Sequence, residues 1–247
     1  MAFNIDNTVG VPLAPTYDYE YELELVERFH KRVPSKVFDA HFHLSPEDLE
    51  NVPLDKKFDV YRSQLNAYLG DDKLKGGLVM GNPYRYLTGE KLNADREFAC
   101  NIAETHEDFV SGLVLRPEEN VGILQKYYDM LPNMVALKPY RSFAIAEDTF
   151  EADILDYAPE WMWEFANDKE LGVVVHLSHY GDMLKDKNNG EQIQYICKKY
   201  PKVKMILAHC ALGHHPDKLK SGLPYLDGLD NVYMDCSGVS DALSIIH

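Results

Sequence analysis

The 247 residues carry 40 Asp plus Glu against 25 Lys plus Arg, a formal net charge of −15 with no basic run, which argues against nucleic acid or an anionic membrane as a partner. No apolar run approaches the roughly 18 residues that span a bilayer, and no basic-then-apolar leader opens the chain, so the reading is a soluble, cytoplasmic protein. The length suits one sizeable core, and four scattered cysteines (Cys100, Cys197, Cys210, Cys236) without a Cys-x-x-Cys pair fit buried thiols better than a disulfide frame or a zinc ribbon.

In chain order, residues 1–16 are irregular and punctuated by Pro12 and Pro15. Tyr19, Leu23, Val26, Phe29 and Val33 recur at spacings of three and four, which predicts an amphipathic helix over 17–32 that Pro34 closes. Val37 to Leu44 reads as a short buried strand ending in His41-Phe42-His43. The loop Ser45 to Pro53 leads to a helix over 58–69, and 76–80 reads as a second strand. The unit then repeats: helix 94–105, strand 109–115, helix 121–131, strand 134–139, helix 158–169, strand 171–176, helix 191–200, strand 203–209. A seventh strand, 232–235, is followed by Ser240 as a helix cap.

Short, nearly continuous apolar strands separated by helical segments are the pattern of a parallel sheet covered by helices, so the fold class is α/β. An open doubly wound sheet and a closed (β/α)₈ barrel both suit that order. An open nucleotide-binding sheet wants a glycine-rich turn after its first strand, where this chain has His-Phe-His-Leu-Ser-Pro, and the barrel is favoured.

The strand ends carry the chemistry. In a strand, His41 and His43 project from one face and can present two imidazoles to one metal ion, with Asp39 on the same face one layer deeper. Asp39 then either holds the second nitrogen of a ligand imidazole or caps a neighbouring loop. Lys138, His176 and His209 close strands four, five and six. In a barrel all strand C-termini gather at one face, so these residues converge on one pocket. A single terminal histidine on an apolar strand is more often a core residue; three strands of a regular repeat ending this way are hard to assign to packing. His179, in the loop after strand five, reads equally as a substrate contact or a solvated loop residue. Tyr84, Arg85, Arg116, Tyr140 and Arg141 belong on the rim, where arginine suits a carboxylated substrate. His214 and His215 are not expected to be ligands.

His41-Phe42-His43, Lys138, His176 and His209 at successive strand ends resemble the amidohydrolase superfamily, in its amidohydrolase-related branch with the aminocarboxymuconate-semialdehyde decarboxylase-like enzymes. The resemblance covers about residues 36–247 and leaves 1–35 as an N-terminal extension and helix. It implies a TIM barrel of the metal-dependent hydrolase type, with one divalent ion, Zn²⁺ first, on His41, His43 and His176. It implies that His209 is a catalytic histidine beside a metal-activated water, and that Lys138 touches a substrate carboxylate; His179, Arg116 and Tyr140 complete the substrate-binding set. The activity implied is hydrolysis of an amide, lactone or ester of a small carboxylated molecule. The alternatives are a metal-dependent decarboxylase of an unsaturated acid and a metal-free lactonase or ligand-binding barrel. The partner is a small molecule, and a homo-oligomer is compatible with the sequence. The family's fourth ligand is an aspartate at the end of strand eight. With only seven strands legible, the expectation is that the natural chain runs past His247 or that a neighbouring chain fills the position. Asp235 would substitute for that aspartate only if the strands were miscounted.

Overall fold

A computed structural model of the protein describes residues 19–84, 86–179, 182–212 and 216–238. The expected features at 1–16, Arg85, His214, His215 and Ser240 lie outside the described residues. Helix α1 (Tyr19–His30) precedes a sheet of seven parallel strands in sequence order: β1 (Val37–His43), β2 (Leu74–Met80), β3 (Phe109–Leu115), β4 (Met134–Pro139), β5 (Gly172–Val175), β6 (Lys204–Leu207) and β7 (Val232–Met234). Parallel neighbours require a crossover at each step. Here the crossovers include α2 (Lys57–Leu69), α3 (Gly89–Thr105), α4 (Val121–Met130), α5 (Ile154–Tyr157) with α6 (Glu160–Lys169), and α7 (Lys187–Lys199). Local chemistry starts two of these helices: the Asn120 side chain accepts the N–H groups of Gly122 and Ile123 ahead of α4, and Asp186 accepts that of Asn189 in α7.

Apolar burial organises two sides of the sheet. Outside it, Phe42, Phe58, Leu74, Val79 and Phe109 pack between β1, β2 and the first helices. A larger cluster centred on Trp163, Tyr157, Leu137 and Val173 continues around β3 to β6. Inside the curl, Leu78, Met80, Ala136, Val174 and Ala208 form a smaller cluster flanked by Val110 and Ile206. The strands therefore bury both faces, which is why they read as continuous apolar runs.

The sheet curls without closing. β1 and β7 are its edges and share no backbone ladder, yet His41 at the end of β1 touches Asp235 just beyond β7. This is a TIM-barrel-like α/β fold lacking a closing strand among the described residues. A cavity of about 1240 Å³ follows the open seam. It runs from His41, Asp235 and Ser237 past Leu78, Val110, Ala136 and Ile206, and half-exposed Phe38 and Tyr233 mark the two edges beside it. No helix among the described residues is long and apolar enough to cross a membrane.

Candidate metal centre

The strand ends meet at one face, as parallel order dictates. His41 and His43 leave the same side of β1, while Phe42 between them turns outward and stacks on Tyr61 with ring centroids 4.3 Å apart. Lys138, next to last in β4, is fully buried, and its Nζ lies 3.4 Å from His41 Nε2. His176 follows β5 directly and is 6% exposed. His209 follows β6 by two residues; its ring stacks on that of His41 at 5.1 Å and meets His176 edge-on at 5.1 Å.

Ring hydrogen bonds assign one tautomer to all four histidines. A carbonyl or an ionised carboxylate can only accept, so an imidazole nitrogen bonded to one must carry the proton. Nδ1 of His41 donates to Asp235 Oδ2 at 2.8 Å, and Nδ1 of His43 donates to the Gly81 carbonyl at 2.7 Å. Nδ1 of His176 donates to the Leu177 carbonyl at 3.2 Å, and Nδ1 of His209 to the Ser237 carbonyl at 2.7 Å. In each neutral ring the lone pair is consequently on Nε2. For His41 and His43 those two Nε2 atoms stand 3.2 Å apart.

Burial keeps His43, His176 and His209 neutral. Burial, reinforced by the charge of Lys138, pushes His43 down to about 3, and the same two causes bring His176 down to about 3. Burial also lowers His209. The Lys138 ammonium is lowered to about 7 by burial, against the opposing pull of Asp235. Burial raises Asp235, but hydrogen bonds from His41 and Ser237, the attraction of His41 and the His209 N–H outweigh it and hold the carboxyl below its usual range.

Imidazole Nε2 atoms whose Nδ1 protons are held elsewhere are the donor set a borderline-soft divalent ion prefers. The cluster fits a metal. A second grouping, His41, His209 and Asp235, brings one ligand atom from each within 4.8 Å of the others. There, Asp235 and Nδ1 of His41 already satisfy each other, and Nε2 of His41 is left facing Nε2 of His43.

Asp235 reaches the site without a change in the strand count. The count stays at seven, as the sequence predicts, and the curl of the sheet brings the end of β7 onto the end of β1. Ser237 was not singled out in the sequence. Its Oγ lies 2.9 Å from His209 Nδ1 and 3.3 Å from His41 Nδ1, and it donates to Asp235 Oδ1. The signal for both was the one used elsewhere, polar residues at the end of an apolar strand, in Met234-Asp-Cys-Ser237. The Gly81 carbonyl has no side-chain signal at all.

The remaining expected residues divide. Tyr140 packs at 4.9 Å on the His176 ring, with Lys138 Nζ 5.5 Å from its centroid, and so belongs to the site. Arg116 contacts Glu118, the Leu87 carbonyl and the Phe143 ring. His179 lies between Glu151 at 3.0 Å and Asp153 at 3.5 Å. Asp39 takes neither expected role: it accepts the His41 backbone N–H and the Tyr61 hydroxyl. A register irregularity between Asp39 and Phe42 interrupts the alternation that would have set it beneath the imidazoles.

Over residues 38–245 the sequence matches the family described as Amidohydrolase. Among solved structures, 4-oxalomesaconate hydratase from Rhodopseudomonas palustris is similar with a TM-score of 0.55 and 14% identity, over 81% of this chain and 74% of that one, a likeness of fold. The 2,6-dihydroxybenzoate decarboxylase from Rhizobium gives a TM-score of 0.48 at 14% identity, over 87% and 83% of the two chains. No curated protein is significantly similar in sequence.

Proposed function

The chain belongs to the amidohydrolase family and is an enzyme, and from that premise we propose a metal-dependent hydrolase that opens an amide, lactone or ester bond of a small carboxylated molecule. The observation that carries this reading is the shared ring arrangement: four buried or half-buried histidines, two on β1 and one after each of β5 and β6, whose Nδ1 protons are all held by acceptors. In this reading His41, His43 and His176 hold one divalent ion, with zinc the first candidate for an imidazole set. What such an ion supplies when bound is Lewis acidity, sufficient in zinc enzymes to bring the pKa of a water near ~7.

The chain's own groups do the rest. His209 accepts a proton at Nε2 while the Ser237 carbonyl holds Nδ1–H and steadies the imidazolium, and it then returns that proton to the leaving group. Lys138 offers its ammonium to a substrate carboxylate from beneath, and Tyr140 covers the His176 side. A dry floor strengthens each of these contacts.

Decarboxylation of an unsaturated acid is the second reading, and Lys138 favours it. A fully buried lysine 3.4 Å from His41 would bring a substrate carboxylate into the histidine cluster itself, where it could be the group lost.

Elemental analysis of protein purified without chelator, followed by assay of the zinc-loaded enzyme on lactone, amide, ester and unsaturated-acid panels, tests both readings. Near-stoichiometric metal with acid release supports hydrolysis, and CO₂ release supports the second reading. Full turnover in protein stripped of divalent ions overturns both.

A further inference from the structure

We infer that Asp235 is a positioning residue: it sets the tautomer of His41 and ties that ring to the backbone turn carrying His209. The inference rests on the metal-centre reading above but concerns groups whose geometry is complete without an ion.

An ionised carboxylate has about four acceptor sites on its two oxygens. Oδ2 accepts Nδ1–H of His41 at 2.8 Å. Oδ1 accepts the backbone N–H of His209 at 3.1 Å, the backbone N–H of Ser237 at 3.0 Å and the Ser237 hydroxyl. Three donors thus converge on Oδ1, and the one on Oδ2 is the ring N–H of His41.

The turn it holds is unusual. His209, Cys210, Ala211 and Leu212 have φ of 58°, 50°, 55° and 59°, left-handed backbone that side chains with a Cβ rarely adopt in succession. A backbone of this kind persists where its surroundings over-determine it. Asp235 supplies two of the constraints, its carboxylate taking the His209 N–H and its carbonyl the Cys210 N–H at 2.6 Å. One residue at the end of β7 thus orients the ring on β1 and the backbone after β6.

The donors make a sharp prediction for Asp235→Asn. Three of them converge on Oδ1, so the asparagine oxygen takes that side and its NH₂ faces His41 Nδ1. An NH₂ can only donate, so Nδ1 must become the acceptor and the His41 proton moves to Nε2. There it points at Nε2 of His43, 3.2 Å away. The same logic applies when the orienting aspartate of a catalytic triad is replaced by asparagine.

The test is a long-range ¹H–¹⁵N correlation spectrum of the imidazoles in metal-free protein, paired with titration by Zn²⁺ alone. Wild type is expected to show His41 with Nδ1–H. Asp235→Asn is expected to show Nε2–H and to bind Zn²⁺ about 10- to 100-fold more weakly, the usual effect of losing a ligand's orienting partner. Ser237→Ala keeps the Oδ2 contact and should retain Nδ1–H.

A wild-type His41 with Nε2–H overturns the inference even if no variant folds. So does an Asp235→Asn protein that loses Zn²⁺ with its tautomer unchanged, the signature of a direct ligand. A wild type that shows Nδ1–H and switches in the variant, yet binds no divalent ion, supports this assignment while the metal-centre reading fails.

Discussion

Nε2 of His41 and Nε2 of His43 face each other across 3.2 Å, while Nδ1 of each donates elsewhere. Those two nitrogens are the ring positions left to bind a metal ion, and neutral imidazole nitrogen is a zinc ligand. His41→Ala and His43→Ala should therefore each remove most bound metal together with the activity. Elemental analysis of both variants checks this; full zinc stoichiometry in either one removes that residue from the ligand set.

His209 should separate chemistry from metal holding. An asparagine there can still donate to the Ser237 carbonyl, as Nδ1–H does, but it cannot shuttle a proton at neutral pH. We expect His209→Asn to keep the ion and to lower kcat by roughly 10² to 10⁴, the ordinary weight of general acid–base catalysis. Unchanged turnover with normal metal content would rule out the role.

The metal-free protein should lose stability in acid through two named rings. His43 and His176 titrate at about 3 when folded and near 6.5 when unfolded, so between those values the unfolded chain binds more protons. The contribution of these two rings is full above about 6.5 and declines as the pH falls toward 3, by up to about 1.4 kcal/mol per pH unit for each ring. Lys138 works in a higher window: with a folded value of about 7 against 10.5, it makes stability rise from pH 7 to 10.5. Urea midpoints measured from pH 4 to 10 test both slopes; Lys138→Met should abolish the upper one and, by removing a charge that lowers both rings, narrow the lower one.

Gly81 should tolerate no side chain. A Cβ there would meet Oδ2 of the buried Asp95 at 1.9 Å, and the Gly81 carbonyl is the acceptor that fixes His43. We expect Gly81→Ala to cost about 1–3 kcal/mol from overpacking and to weaken zinc binding. Asp95→Gly should recover part of the loss in the double variant, because the two sites touch. A Gly81→Ala protein with wild-type stability and affinity would show that the end of β2 can shift without moving His43.

The sequence by itself determined the repeat, the strand order, the face on which chemistry gathers and which histidines occupy it. Those features are written locally: each strand is a short apolar run, each crossover a periodic segment, and parallel order alone sends His41, His43, Lys138, His176 and His209 to one end. Tertiary structure decided the rest. Whether Asp235 belongs to the site depends on how far seven strands curl, a sum of small twists that brings residues 194 positions apart to 2.8 Å, and no local pattern states that total. The register irregularity that turns Asp39 to Tyr61 is equally a matter of strand pairing. The tautomers depend on the Gly81, Leu177 and Ser237 carbonyls, and every residue carries a carbonyl, so only the folded backbone selects which three face the rings.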